Sequence, residues 1–170
     1  QMAEDLVNSG LHKMYLSLDG LGDVYEKIRG VSFKKVENAL KHLNKAKNGR
    51  KLPKIVCICT ISSLNVRHFE DVIAFARDNG ADRINLAYVG EFQPEFLAKS
   101  EIDGLSPSPY YMPQESSSVL LSREDAVYLK ERIDVIKHLP KDDNFDISPK
   151  NIDILTVDDM VNGTIPNLKC

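Results

Sequence analysis

Leu16-Ser17-Leu18-Asp19-Gly20 closes a short apolar strand, and Arg29-Gly30 follows it, the arginine twelve residues beyond the serine. A hydroxyl, a carboxylate and a guanidinium are thereby set at the mouth of one strand-to-helix loop. In parallel α/β proteins ligands bind at that place, because strand C-termini and helix N-termini converge there. Asp19-Gly20 also has the composition of a plain turn, and Asp23 that of a cap for the next element.

The flanks repeat one alternation. Glu4 to Ser9 reads as the end of a helix with Gly10 as its left-handed cap, and Lys13 to Leu18 as the strand after it. Ser32 offers a cap for a helix carrying Phe33, Val36, Leu40 and Leu43 at helical spacing, closed by Asn48-Gly49. Ile55 to Ile61 is continuously apolar and β-branched, the sign of a strand buried on both faces. Asn65 is expected to cap a helix with Val66, Phe69, Val72, Ile73 and Ala76 on one stripe, ended by Gly80. Arg83 to Val89 makes a third strand. Helix and strand alternating over short connections argue for right-handed βαβ units and a parallel sheet.

The pattern changes at residue 90. Residues 90–121 are rich in Pro and Ser, including Ser106-Pro107-Ser108-Pro109. A stretch of that length and composition leaving a strand end is either a substrate-facing lid or a floppy insertion. Ser122-x-x-Asp125 then opens a helix with Ala126, Leu129, Ile133 and Ile136 inward, stopped by Pro140. Phe145 to Ser148 reads as a short fourth strand, and Thr156-x-x-Asp159 as the start of a short helix ending near Gly163.

Composition narrows the function classes. With 170 residues, 42% hydrophobic, the chain suits one globular domain with a real core. Its 22 Lys and Arg against 25 Asp and Glu are interspersed, which gives no footprint for nucleic acid or an anionic membrane. No apolar run approaches the about 20 residues that cross a bilayer. Three cysteines make no disulfide framework, so a cytoplasmic setting is expected. The first residue is not Met and the last is a cysteine, from which we expect a piece of a longer polypeptide. His12, His42, His68 and His138 lack metal-ligand spacing, and there is no phosphate-binding glycine loop, strand lysine for a Schiff base, or Gly-x-Ser-x-Gly elbow.

Ser9-Gly10-Leu11, Leu16 to Gly20, Arg29-Gly30, Ser32-Phe33, Asn65 and Asn79-Gly80-Ala81 occur in that order. In order and spacing residues 2–90 resemble the second half of a radical S-adenosylmethionine core domain. The resemblance implies an α/β fold of parallel βα repeats forming half of a partial (β/α)6 TIM-like barrel. It implies that residues 1–140 carry this half barrel, with 90–121 inserted, and that 141–170 lead toward a cysteine-rich domain.

The resemblance also assigns roles. Ser17 and Arg29 correspond to the hydroxyl and guanidinium that hold the methionyl carboxylate of S-adenosylmethionine, a task suited to a bidentate arginine fork and a short hydroxyl bond. Tyr88 stands where relatives contact adenine or ribose, although a strand tyrosine also reads as core packing. Asp19 is expected to support the loop rather than to touch substrate.

One departure matters. The family holds a [4Fe–4S] cluster on CxxxCxxC, and no such triplet occurs here. Cys57 and Cys59 lie two apart on a strand and read as small buried hydrophobes. Cys170 is either the first ligand of an auxiliary iron–sulfur cluster or an ordinary free thiol. The intact enzyme would cleave S-adenosylmethionine reductively, draw electrons from a reductant protein and act on a peptide or small molecule, while this chain alone is expected to be inactive and to self-associate along its open sheet edge. The competing readings are a non-catalytic α/β interaction module that binds through 90–121 and, less well matched, a receiver-type domain.

Overall fold

In the computed structural model residues 1–89, 103–105, 119–140 and 142–163 are described. The elements are α1 (Met2–Asn8), β1 (Lys13–Ser17), α2 (Gly22–Arg29), α3 (Phe33–Lys47), β2 (Lys54–Ile61), α4 (Phe69–Asp78), β3 (Arg83–Tyr88), α5 (Arg123–Lys137), β4 (Asp146–Ser148), a 3-10 turn (Lys150–Asp153) and α6 (Val157–Asn162). The four strands form one parallel sheet in the order β1-β2-β3-β4. Each strand is added on the same side of the one before it. That winding is the one a (β/α) barrel uses, whereas a doubly wound sheet reverses its order. The fourth strand comes from the 141–170 segment, so this segment completes the sheet.

Pleating sorts the strand residues onto two faces. Leu16, Cys57, Ile84 and Ile147 are register partners on one face, joined by Ile55, Cys59, Ile61, Leu86 and Tyr88. This face packs in the same core as Val36, Leu40 and Leu43 of α3, Phe69, Val72 and Ala76 of α4, and Leu129 and Ile133 of α5. The opposite face carries Tyr15 and Ser17, then Val56, Ile58 and Thr60, then Asn85 and Ala87. It opens along β1, where Tyr15 is 57% exposed.

Two helices differ from their sequence reading. The stretch between Gly20 and Arg29 is a helix, α2, rather than a loop, and Gly30 caps it at φ 67 with its amide donating to Glu26 O. Tyr25 of this helix packs edge-on to Phe33, which meets Phe75, so three helices share one aromatic seam. Helix α4 begins at Phe69 with His68 as its N-cap. Asn65 does not cap it, for its side chain is engaged elsewhere.

At the N-terminal end of the strands Asp82 is the clamp. Its carboxylate accepts from Lys47 Nζ and Lys54 Nζ, each at 2.9 Å, and from the Ile55 amide at 2.8 Å. Burial works against its ionisation, but the bonds from Lys54, the Ile55 amide and Lys47 outweigh it and hold the carboxyl below its ordinary value. A carboxyl lowered on folding contributes stability above its unfolded pKa and loses it as pH falls through the folded value. Replacing Asp82→Asn is therefore expected to cost about 1–3 kcal/mol at neutral pH. In urea melts the gap to the wild type should close as pH drops below about 4.

At the other end of β3 the Tyr88 hydroxyl donates to Met160 O at 2.5 Å and accepts from the Leu121 amide at 3.1 Å. It ties α6 and the entry to α5 to the sheet. Tyr88→Phe leaves two buried main-chain groups without that partner, so thermal melts should show a loss of about 1–3 kcal/mol.

Candidate functional site

The C-terminal ends of β1 and β2 are joined by a carboxylate that lies almost entirely out of water. Asp19 is 2% exposed. Its Oδ1 accepts from the Thr60 amide at 2.7 Å, and its Oδ2 faces Arg29 Nε in an ion pair. Its main-chain oxygen accepts from Asn65 Nδ2 at 2.7 Å. The β1 ladder continues one residue past the strand, with the Leu18 amide donating to Ile58 O at 2.8 Å. Asp19 is thus delivered to β2 by the strand itself. It supports the loop, as expected.

Gly20 allows the turn into α2 to be tight. A Cβ on it would lie 2.8 Å from Val24 Cγ1 and 2.9 Å from the Tyr25 amide nitrogen. The helix therefore starts directly over the end of β1, and its last turn carries Arg29 back to Asp19. Arg29 is 35% exposed along its side chain. With Nε turned to Asp19, the guanidinium keeps its two terminal nitrogens as further donors.

Ser17 is exposed on the face opposite the helices, two residues before Asp19, and its hydroxyl has no partner among the described residues. The structure brings Ser17 and Arg29 to the same strand end, each linked to Asp19, the one by the chain and the other by the ion pair. The result is an open rim. Cavities of about 330, 640, 690 and 1030 Å³ open elsewhere, and neither Ser17 nor Arg29 lines them.

Tyr88 is not brought to this rim. It is the register partner of Ile61, on the helix-facing side of β3, and its hydroxyl is spent on Met160 and Leu121. Cys57 and Cys59 also face the helices and are buried. Burial pushes the Cys57 thiol up to about 12. Cys59 is raised by burial and then by the negative charge of Asp19, which the Arg29 charge offsets in part. Burial holds both thiols in the neutral form. No cluster of three or more metal-ligating side chains occurs among the described residues. Cys170 lies outside the described residues, as do most of residues 90–121.

Two groups of the rim escaped the sequence reading. Thr60 takes part through its main-chain amide, which leaves no trace in a residue pattern. Asn65 was readable only as a helix cap, since Asn immediately ahead of an apolar stripe signals a cap first. Its amide instead satisfies the rim, accepting from the Ser62 amide at 2.8 Å and donating to Thr60 O at 2.9 Å as well as to Asp19 O.

No family model and no curated protein matches the chain. Solved structures do. SuiB from Streptococcus suis bound to precursor peptide SuiA aligns with TM-score 0.53 and 18% identity over 88% of this chain and 29% of that one. Another structure of SuiB aligns with TM-score 0.52 and 18% identity over 88% of this chain and 30% of that one. The chain therefore spans less than a third of the length of the structures it matches. At this identity the likeness shows a shared α/β fold.

Proposed function

We propose that this chain is the C-terminal half of a radical S-adenosylmethionine barrel and supplies the anchor for the methionyl carboxylate of that cofactor. The observation that carries the reading is the Asp19–Arg29 pair beside Ser17. Asp19 takes the Nε edge of the guanidinium. The remaining edge is free to grip a carboxylate bidentately, and the Ser17 hydroxyl adds a short bond from the adjacent strand. These residues fit the amino-acid end of S-adenosylmethionine. In this family the bound cofactor is the source of a 5′-deoxyadenosyl radical.

The same residues do not fit the [4Fe–4S] cluster. Its ligands belong to another part of the enzyme, because the two thiols of β2 are buried on the helix-facing side and do not make up a three-cysteine set. What the chain does is bind and orient. Arg29 neutralises the carboxylate, Asp19 fixes the guanidinium plane, and the end of β1 presents Ser17. Tyr88 enters as a structural tie rather than as a nucleoside contact.

The remaining assignments accord with the same reading. Residues 1–140 supply three strands of the half barrel and 141–170 its fourth, and 141–170 then lead toward a cysteine-rich extension in which Cys170 ligates an auxiliary cluster. A reductant protein supplies electrons to the intact enzyme. The complex of SuiB with precursor peptide SuiA makes a peptide the substrate class we favour. No helix among the described residues is long and apolar enough to cross a membrane.

The test uses Ser17→Ala and Arg29→Ala in the 170-residue chain. S-adenosylmethionine, titrated under NMR to reach millimolar affinities, should shift the amides of residues 17–20. Ser17→Ala, which removes an exposed hydroxyl, should weaken binding about three- to tenfold without altering the melt. Arg29→Ala should weaken it at least about tenfold. Shifts confined to other parts of the chain, or equal affinities for all three proteins, would remove both residues from the site.

A further inference from the structure

Asn65 lies 46 residues from Asp19 in sequence and against it in space. It is 1% exposed, and three of the hydrogen bonds its amide can make are satisfied. Both of its donor bonds go to main-chain oxygens of the rim, those of Asp19 and Thr60. These two residues are also bonded directly to each other, just beyond the β1–β2 ladder. One amide group thus holds both sides of that contact at once.

Besides the bond that the Asn65 side chain accepts from the Ser62 amide, the local turn has others of its own. The Asn65 and Val66 amides donate to Ser62 O, the His68 amide to Asn65 O, and the Leu64 amide to Ser62 Oγ. The Ser63 amide adds a bond to Val119 O at 2.9 Å, outside the turn. Helix α4 starts only at Phe69, and the residue at its N-cap position is His68. The Asn65 amide is therefore spent on the rim, not on the next helix.

We propose that Asn65 is a positioning residue for the carboxylate anchor, acting on the Arg29 guanidinium through Asp19. The proposal rests on the function proposed above and extends it to a residue outside contact with the cofactor. Asn65 sets the Asp19 main chain, the main chain sets the carboxylate, and the carboxylate sets the plane of Arg29. Without the Asn65 donors, two buried carbonyls lose a partner and the Asp19 backbone relaxes away from β2. Arg29 follows its counter-ion, and the edge turned to the ligand rotates out of line. The adenosyl part of the ligand makes no demand on this relay.

Two readouts on the whole 170-residue chain test it. The first is the Arg29 Nε–Hε resonance, identified by its loss in Arg29→Lys. In the wild type it should exchange slowly, held by Asp19. In Asn65→Ala it should exchange at least tenfold faster, while the amide resonances of α4 and α5 stay in place. The second is titration with S-adenosylmethionine and with methylthioadenosine, which lacks the amino-acid end. Asn65→Ala should weaken the first about tenfold and leave the second unchanged, and it should add nothing in an Arg29→Ala background.

An unaltered Arg29 resonance, equal losses for both nucleosides, or additive losses in the double variant would overturn the proposal. Asn65→Ser is the second variant should Asn65→Ala fail to fold, and failure of both would make Asn65 a folding residue and overturn it as well. A wild type that binds neither nucleoside removes the function itself and the proposal with it. A wild type that responds to Arg29→Ala but not to Asn65→Ala removes the proposal alone.

Discussion

Taking a carboxylate out of water costs several kcal/mol unless its partners are close and well aimed (about 3–5 kcal/mol is lost when one partner is removed). Asp19 is held under that constraint, and the arrangement of three elements results from it. One oxygen needs the Thr60 amide, so the end of β1 must lie against the end of β2. The other needs Arg29, so the last turn of α2 must fold back over the strand from which it left. Gly20 makes that return short enough. Asn65 closes the set by bonding the Asp19 main chain.

The opposite end of the sheet uses a related device. Asp82, just before β3, reaches the Ile55 amide near the start of β2, as Asp19, just after β1, reaches the Thr60 amide near its end. Both ends of the central strand thus take an aspartate from a flanking strand, and a slip of one residue would strand both carboxylates. The counter-ions distinguish the two ends. Asp82 is neutralised by two lysines from α3 and β2. Asp19 is neutralised by a single guanidinium that retains donors for something else. In parallel barrels the first kind of end reads as stability and the second as chemistry.

Much of this was legible in the sequence. The four strands, the parallel order and the inward stripes of α3, α4 and α5 derive from apolar periodicity, which packing then enforces. The support role of Asp19 was readable from its place at a strand end. What escaped was tertiary. The segment ahead of Arg29 reads as a loop because Gly22 and Asp23 are poor helix formers, yet Tyr25 draws it into a helix by packing on Phe33. Asn65 carries the sequence signal of a cap, and the main-chain oxygens of Thr60 and of the distant Asp19 outcompete the helix for its amide. The side on which Tyr88 falls depends on strand register, which no local pattern fixes.

The division of chemistry reflects the two faces of the sheet. Thiols ligate iron as thiolates, and a thiolate needs a polar or electropositive setting. Cys57 and Cys59 sit among Ile and Leu on the helix-facing side, where burial keeps their protons on. Ser17 and Tyr15 stand on the other face, in contact with solvent. Arg29 reaches the rim without being spent, because Asp19 holds only one edge of its guanidinium. A face of that kind presents the unspent edge of a guanidinium and an exposed hydroxyl at one strand end.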